Sequence, residues 1–468
     1  MTTRSLLHRG LLGAWALVLD CSLQAQTAEP ADLVITRAHI VTMNAAKDII
    51  EDGAVVIRGE RILAVGPAAL AANYTARKTI DARGAIVLPG MINTHTHAPM
   101  TVFRGLGDDV PDRLRRFIFP LEKNLMNREF VHWGGLHGIV EMIEGGVTTM
   151  VNSYYFEEEF AAVVKQAGMR AVLGQTVINF PAPDAPEPYG GLALARKFAT
   201  AWRRDPLITP AISPHAPYTV DVAHLRKIAA LSAELDVPVL IHLAEMTEEM
   251  TLLRKEHNMT PVEFLDSVGL LNRRLVAAHC IFVTDADIAL LKARDAGIAH
   301  NMVANIKSAK GVAPALKMFD DGLRVGLGTD GPMSGNTLDL IGQLGYVAKV
   351  HKLDRKDRNV MPAIKVVEMA TMGGARAIHR EADLGSLEPG KLADVIIVDH
   401  ESTAMVPLFD VYSALVYAAS PRDVRTTIIH GRVVMEDRKL LTIDTAEVRA
   451  KMREITRRIN AALAAGLK

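Results

Sequence analysis

VLPGMINTHTH, residues 87–97, decides the fold. An apolar run from Val87 to Ile92 ends in two histidines one residue apart, and side chains two apart on a strand point to the same side. His95 and His97 therefore close a strand and converge on one place. Outward from this stretch the same texture recurs in order as GVTTMVNS, RAVLGQTV, LITPAIS, VPVLIHLAE, LVAAHC, GIAHN and RVGLGTD. Each is a short apolar run closed by polar residues. Helix-like stretches such as DVAHLRKIAALSAEL and DADIALLKARDAG lie between them. About eight strand–helix alternations predict an α/β fold, a (β/α)8 TIM-like barrel over residues 91–384.

The flanks read differently. Residues 31–90 are β-branched and broken by Gly and charged turns, and residues 385–445 repeat that texture in KLADVIIVDH and VRTTIIHGRVVMEDRKLL. A single small β-sandwich domain built from both ends of the chain, with the barrel inserted, accounts for both. Residues 446–468 read as a C-terminal amphipathic helix without evident chemistry.

The first thirty residues are a third kind of sequence. Arg4, His8 and Arg9 precede the apolar run Leu11 to Leu19, and SLQAQTAEP follows Cys21. A basic start, a short apolar middle and a small-residue exit predict a secretory signal peptide over residues 1–30, cleaved between Gln24 and Ala28. The expected location is secreted or periplasmic. The apolar run is too short to remain as a membrane span, so no stable insertion is expected after processing. Asp20 before Cys21 fits a lipid anchor poorly. Removal of the leader leaves Cys280 as the sole cysteine, so no intramolecular disulfide forms.

Composition narrows the function. The chain has 468 residues, 49% of them hydrophobic, enough for a large core. Lys+Arg and Asp+Glu both total 53, and no basic tract breaks the balance, which argues against nucleic acid as a partner. A small molecule is the expected partner.

In such barrels chemistry collects at the C-terminal ends of the strands. His95, His97, His242, His279 and Asp330 all stand there, immediately after apolar runs. Imidazoles with a carboxylate suit one divalent ion, with zinc first and iron or manganese as other candidates. Such an ion brings water towards a neutral pKa and leaves one position open for it. Spacing leaves open whether His279 ligates the metal or holds the attacking water. Glu245, three residues after His242, is placed to shuttle protons at the open side.

NTHTH, HLAE, AAHC and GTD, in this order, resemble the amidohydrolase superfamily. LPGMINTHTHAPMTVFRG, ISPHAPYT and GSLEPGKLADVIIVD resemble its deaminase branch, which includes S-adenosylhomocysteine/methylthioadenosine deaminases and triazine hydrolases. The resemblance covers nearly everything after residue 32. It implies that His95, His97, His242 and Asp330 bind one metal, that Glu245 protonates a ring nitrogen, and that His279 orients the attacking water without being a main ligand. Asp330 would also take a proton from that water, and ammonia would leave. The fourth run, LITPAISPHAPYT, carries neither Lys nor Glu, which favours one metal over two. His215 resembles a residue that contacts the substrate ring, and Glu122 in F-P-L-E resembles one that binds ribose hydroxyls. Relatives of this kind are often homo-oligomers.

Departures concern the substrate. Phe117 and Phe119 stand where relatives carry a tryptophan, Asn152-Ser153 replaces Asp-Met, and GPMSGNTLD follows Asp330. The expected reaction is hydrolytic deamination of an amino-substituted heterocycle, of adenosine, aminopurine or pterin type. Hydrolysis of a C–Cl, C–NHR, amide or cyclic imide bond is the alternative. A non-catalytic periplasmic metal- or solute-binding protein is the remote one.

Overall fold

The computed structural model describes residues 28–466. The leader expected over residues 1–30 therefore lies outside the described residues, apart from its last three. Chain path and hydrogen bonding resolve into two sheets, one of eight parallel strands and one of nine mixed strands.

The eight-stranded sheet is the barrel. Its strands are Met91–Thr96, Val147–Tyr154, Arg170–Val177, Ile208–Pro214, Val239–Leu243, Leu275–His279, Gly297–His300 and Arg324–Leu327. All of their residues but Thr209 and Arg324 are buried, as expected for strands covered on both faces, and this is why they read as unbroken apolar runs. The first and last strands meet through the His95 carbonyl, which accepts from the backbone N–H groups of Thr329 (3.2 Å) and Asp330 (3.0 Å). Gly326 permits that closure, since a Cβ there would stand 2.5 Å from Thr94 Cγ2. Small and branched residues fill the interior, among them Ile92, Val151, Val172, Ala211, Leu240, Val276 and Ala299.

Helices wrap the outside, and several begin at side-chain caps. Asp221 accepts from His224 N–H ahead of Val222–Leu235, and Thr260 and Thr284 form capping boxes ahead of Pro261–Ser267 and Asp285–Ala293. The last helix, Thr445–Ala464, starts at Asp444 and is tied to Arg128–Glu144 by the Arg458–Glu129 ion pair (2.8 Å).

The second sheet draws on both ends of the chain. Ile86–Pro89 pairs with Val395–Val398 in antiparallel register, Val87 opposite Ile397, and also with Glu29–Val41 in parallel. Ile35, Ile40, Val55, Ile57, Val87, Val395, Ile397 and Ile428 form its apolar core.

Residues 87–97, one run in the sequence, serve both sheets. Ile86–Pro89 belongs to the mixed sheet and Met91–Thr96 to the barrel. Gly90 makes the crossing, where a Cβ would stand 2.2 Å from Thr148. Below the barrel, buried Arg170 grips buried Asp394 with two hydrogen bonds (3.0 and 2.9 Å) and fastens the two sheets together.

Candidate active site

Each candidate residue stands at or just past a barrel strand's C-terminal end, with one exception. His95 lies in the first strand and His97 directly follows it. His215 follows the fourth, His242 lies in the fifth with Glu245 two residues beyond, His279 ends the sixth, and Asp330 follows the eighth. The exception, Glu122, is carried by the short helix Phe119–Leu125. At two of these positions, and at Ala244 beside a third, the chain bends into the left-handed region, with φ of 74° at His279, 61° at Asp330 and 49° at Ala244. Side-chain-bearing residues rarely adopt that conformation. At about 1–3 kcal/mol each, it persists where the surroundings force it, and functional sites concentrate it.

The side chains meet. His97 Nε2 lies 3.3 Å from Asp330 Oδ1, and His95 Nε2 lies 3.7 Å from the same oxygen. His279 Nε2 is 3.9 Å from Asp330 Oδ2 and 3.7 Å from Glu245 Oε1. His97 Nε2 and His242 Nε2 face each other at 3.2 Å. Two sets of four can be drawn from this cluster. His95, His242, His279 and Asp330 each offer an atom within 4.8 Å of the others, whereas His97 has the shorter contacts to His242 and Asp330.

The hydrogen bonds behind the rings assign their free nitrogens. His97 Nδ1 donates to the Ser153 carbonyl (2.5 Å) and His242 Nδ1 to the His215 carbonyl (2.6 Å). A carbonyl only accepts, so each Nε2 is left with its lone pair. Two lone pairs 3.2 Å apart repel unless a proton or a metal cation lies between them. His95 Nε2 is also buried without a hydrogen-bond partner. The donor set therefore fits a divalent ion. Nitrogens and oxygens about 2.0–2.1 Å from a tetrahedral zinc would be roughly 3.3–3.4 Å apart, close to the His97–His242 and His97–Asp330 spacings.

Electrostatics agree with this arrangement except at His97, where burial lowers the imidazole but the Asp330 carboxylate outweighs it and raises the ring above its ordinary value. Burial lowers His95 to about 4 and, with the neighbouring imidazoles, drives His242 well below the usual histidine range, so both stay neutral. Burial opposes ionisation of Asp330, but contacts with His95 and His97 outweigh it and hold the carboxyl far below its ordinary value. Burial likewise opposes ionisation of Glu245, and His279 with the Lys310 ammonium ion overcomes it. Burial raises Glu122 to about 7 against the opposing pull of Tyr154 and His97. It lowers His215 to about 4.

A cavity of about 500 Å³ opens over the cluster, within the range of small-molecule sites. His97, Glu122, His215, His242, Glu245 and Asp330 line it, and His95 and His279 lie buried behind. His215 Nδ1 bonds to Thr219 Oγ1 (3.0 Å), and its ring packs 5.6 Å from that of Phe119. Across the mouth, Asp108 is held by Lys307 Nζ (2.8 Å) and Asn336 Nδ2 (2.9 Å), joining the loops after the first, seventh and eighth strands.

Sequence reasoning missed several participants. Asn305 Oδ1 accepts from His279 Nδ1 (2.8 Å), and Lys310 Nζ pairs with Glu245 Oε1. The Glu249 carboxylate accepts the N–H groups of Ala244 (2.9 Å) and Glu245 (3.0 Å). Tyr154 and Tyr155 stand beside Glu122. The segment NIKSAKG after the seventh run held the signal for two of them, but they lie five and ten residues beyond its strand.

Comparison with known proteins assigns the class. Residues 86–434 match the amidohydrolase family, and the chain belongs to it. It is 42% identical to the 5-methylthioadenosine/S-adenosylhomocysteine deaminase of Syntrophobacter fumaroxidans over 92% of this chain and 98% of that one. The crystal structure of an adenosine deaminase from Xanthomonas campestris with bound zinc superposes with a TM-score of 0.90 at 36% identity, covering 93% of this chain and all of that one. Atrazine chlorohydrolase from Arthrobacter aurescens, complexed with zinc, shares the fold at a TM-score of 0.85 with 21% identity over 91% of this chain and 100% of that one.

Proposed function

We propose that this chain is a hydrolytic deaminase of aminopurine-type substrates, most directly adenosine-type nucleosides, built around one zinc ion held by His95, His97, His242 and Asp330. It is a hydrolase of carbon–nitrogen bonds other than peptide bonds. The observation that carries the reading is the placement of the Glu245 carboxylate, 3.7 Å from His279 Nε2, beside the imidazole cluster in the same cavity as Glu122. The deaminase relatives at 42% and 36% identity support it.

A zinc ion in that cluster supplies Lewis acidity, which makes water a competent nucleophile near neutral pH. The remaining work belongs to the chain. Asp330 accepts a proton from the attacking water at a carboxylate oxygen. His279, with Nδ1 committed to Asn305, directs Nε2 towards that water. Glu245, once protonated, delivers that proton to the ring nitrogen next to the amino-bearing carbon, Asp330 passes its proton to the amino group, and ammonia leaves as the new hydroxyl returns a proton to Glu245. Glu122, flanked by Tyr154 and Tyr155, receives substrate hydroxyls, and His215 with Phe119 faces the heterocycle.

The test is ammonia release by purified zinc-loaded protein from adenosine, methylthioadenosine, S-adenosylhomocysteine, guanine, cytosine, a pterin and melamine, with a chelated control. Metal-dependent release from an adenosine-type compound is expected. Silence across the panel, with chloride or alkylamine released from substituted triazines, would overturn the reading.

Export is proposed from residues 1–30 alone. Fractionation would find the processed chain outside the cytoplasm, and a cytoplasmic full-length chain would refute it.

A further inference from the structure

Two anchors fix Glu245, one on its backbone and one on its carboxylate. Its backbone is set by Ala244 in the left-handed region and by Glu249, which receives the N–H groups of both residues. Three side-chain torsions remain free beyond the Cα. The carboxylate is held at one atom, Oε1, by Lys310 Nζ, while His279 Nε2 stands 3.7 Å from the same oxygen. A surface ion pair of this kind would be worth little. Here the carboxylate is buried, and the Lys310 side chain is 28% exposed at the cavity wall, so the contact is a charge-assisted hydrogen bond at a partly desolvated site.

Lys310 follows the short helix Met302–Lys307, whose Asn305 holds the other proton-handling group. Its backbone N–H donates to the Asn305 carbonyl (3.0 Å), and the Asn305 side chain accepts from His279 Nδ1 (2.8 Å). One segment after the seventh strand, the short helix Met302–Lys307 and the turn that follows it, thus holds His279 from behind and Glu245 from the side.

We propose that Lys310 is a positioning residue that fixes the Glu245 carboxylate through Oε1, leaving Oε2 free for the substrate's ring nitrogen. The inference rests on the role proposed for Glu245. Lys310 touches no reacting atom in this account. It removes rotamers of Glu245 that would point the acid away from the ring, and misplacement of a reacting group by about 1 Å can cost on the order of 100-fold in rate.

The experiment compares zinc-loaded full-length wild type with Lys310→Met, Lys310→Arg, Glu245→Gln and the double variant K310M/E245Q, using methylthioadenosine and adenosine. Lys310→Met should lower kcat about 10- to 100-fold with KM within about threefold, and Lys310→Arg should recover most of the loss. The double variant should be no slower than Glu245→Gln alone, within about twofold, because the two residues act as a unit. Unchanged kcat in K310M, a rise in KM alone, or losses that multiply in the double variant would each overturn the proposal. A crystallographic arm stands apart from turnover. In K310M the Glu245 carboxylate should leave the position it holds in wild type, and a carboxylate that stays in place would refute the positioning role. Wild-type silence on the panel would strike the deaminase reading, and the crystallographic arm would then decide Lys310 by itself.

Discussion

The barrel holds a buried aspartate cluster at each end, and the two are organised in opposite ways. Below the strands, Asp394 is saturated. It takes two hydrogen bonds from Arg170 (3.0 and 2.9 Å) and one from the His430 N–H (2.8 Å). Above them, Asp330 sits among imidazoles whose free nitrogens face inward, and His95 Nε2 has no hydrogen-bond partner. Both aspartates are 5% exposed, so burial does not separate them. Satisfaction of hydrogen bonding does. The lower cluster is complete within the protein and joins two sheets, whereas the upper one gathers lone pairs that a cation completes.

That contrast can be broken at either end. The largest effect is expected above. His95→Ala should lower turnover on the order of 10,000-fold, since metal Lewis acidity is worth several kcal/mol, and metal content measured on the purified variant should fall with it. Full metal and full activity would place the ion elsewhere. Below, Arg170→Met should cost about 3–5 kcal/mol of unfolding free energy, because it leaves a buried carboxylate unpaired. Denaturant unfolding reads that loss, and replacing Asp394 by Leu as well should recover most of it. Turnover per folded, metal-loaded chain should not change. A loss of kcat in Arg170→Met would show that the lower cluster reaches the chemistry.

A smaller effect lies beside the barrel at Asp339. Burial raises its carboxyl to about 6, although the Gly342 N–H donates to it (2.6 Å). Between its ordinary value near 3.8 and 6 the folded state binds the proton more tightly than the unfolded state. Stability therefore falls as pH rises through that window and stays lower above it. The cost is up to about 3 kcal/mol. Asp339→Asn, which keeps an acceptor for Gly342, should remove this slope in unfolding measured between pH 4 and pH 8. A variant with the same slope as wild type would reject the assignment.

The two ends were not equally legible in the sequence. Strands buried on both faces read as unbroken apolar runs, so a polar residue at the close of one stands out, and His95, His97, His242, His279 and Asp330 were found in this way. Lys310 and Asn305 escaped because a short helix and the loop after it carry them back over the barrel, and no local pattern encodes where such a segment returns. Glu249 escaped because its role depends on the backbone turn at Ala244. Glu122 was legible in sequence only through its resemblance, for a physical reason. An acid in the first turn of a helix suits the helix dipole wherever it points, and only the folded chain sets it beside Tyr154 in the cavity. Arg170 and Asp394 stand 224 positions apart, and neither neighbourhood mentions the other.

The account's central claim, one catalytic cation in the upper cluster, is tested most directly by titrating metal-free protein with zinc while following ammonia release from methylthioadenosine. The account predicts that activity rises linearly and stops at one zinc per chain. A break at two equivalents, or activity that persists without metal, would contradict it.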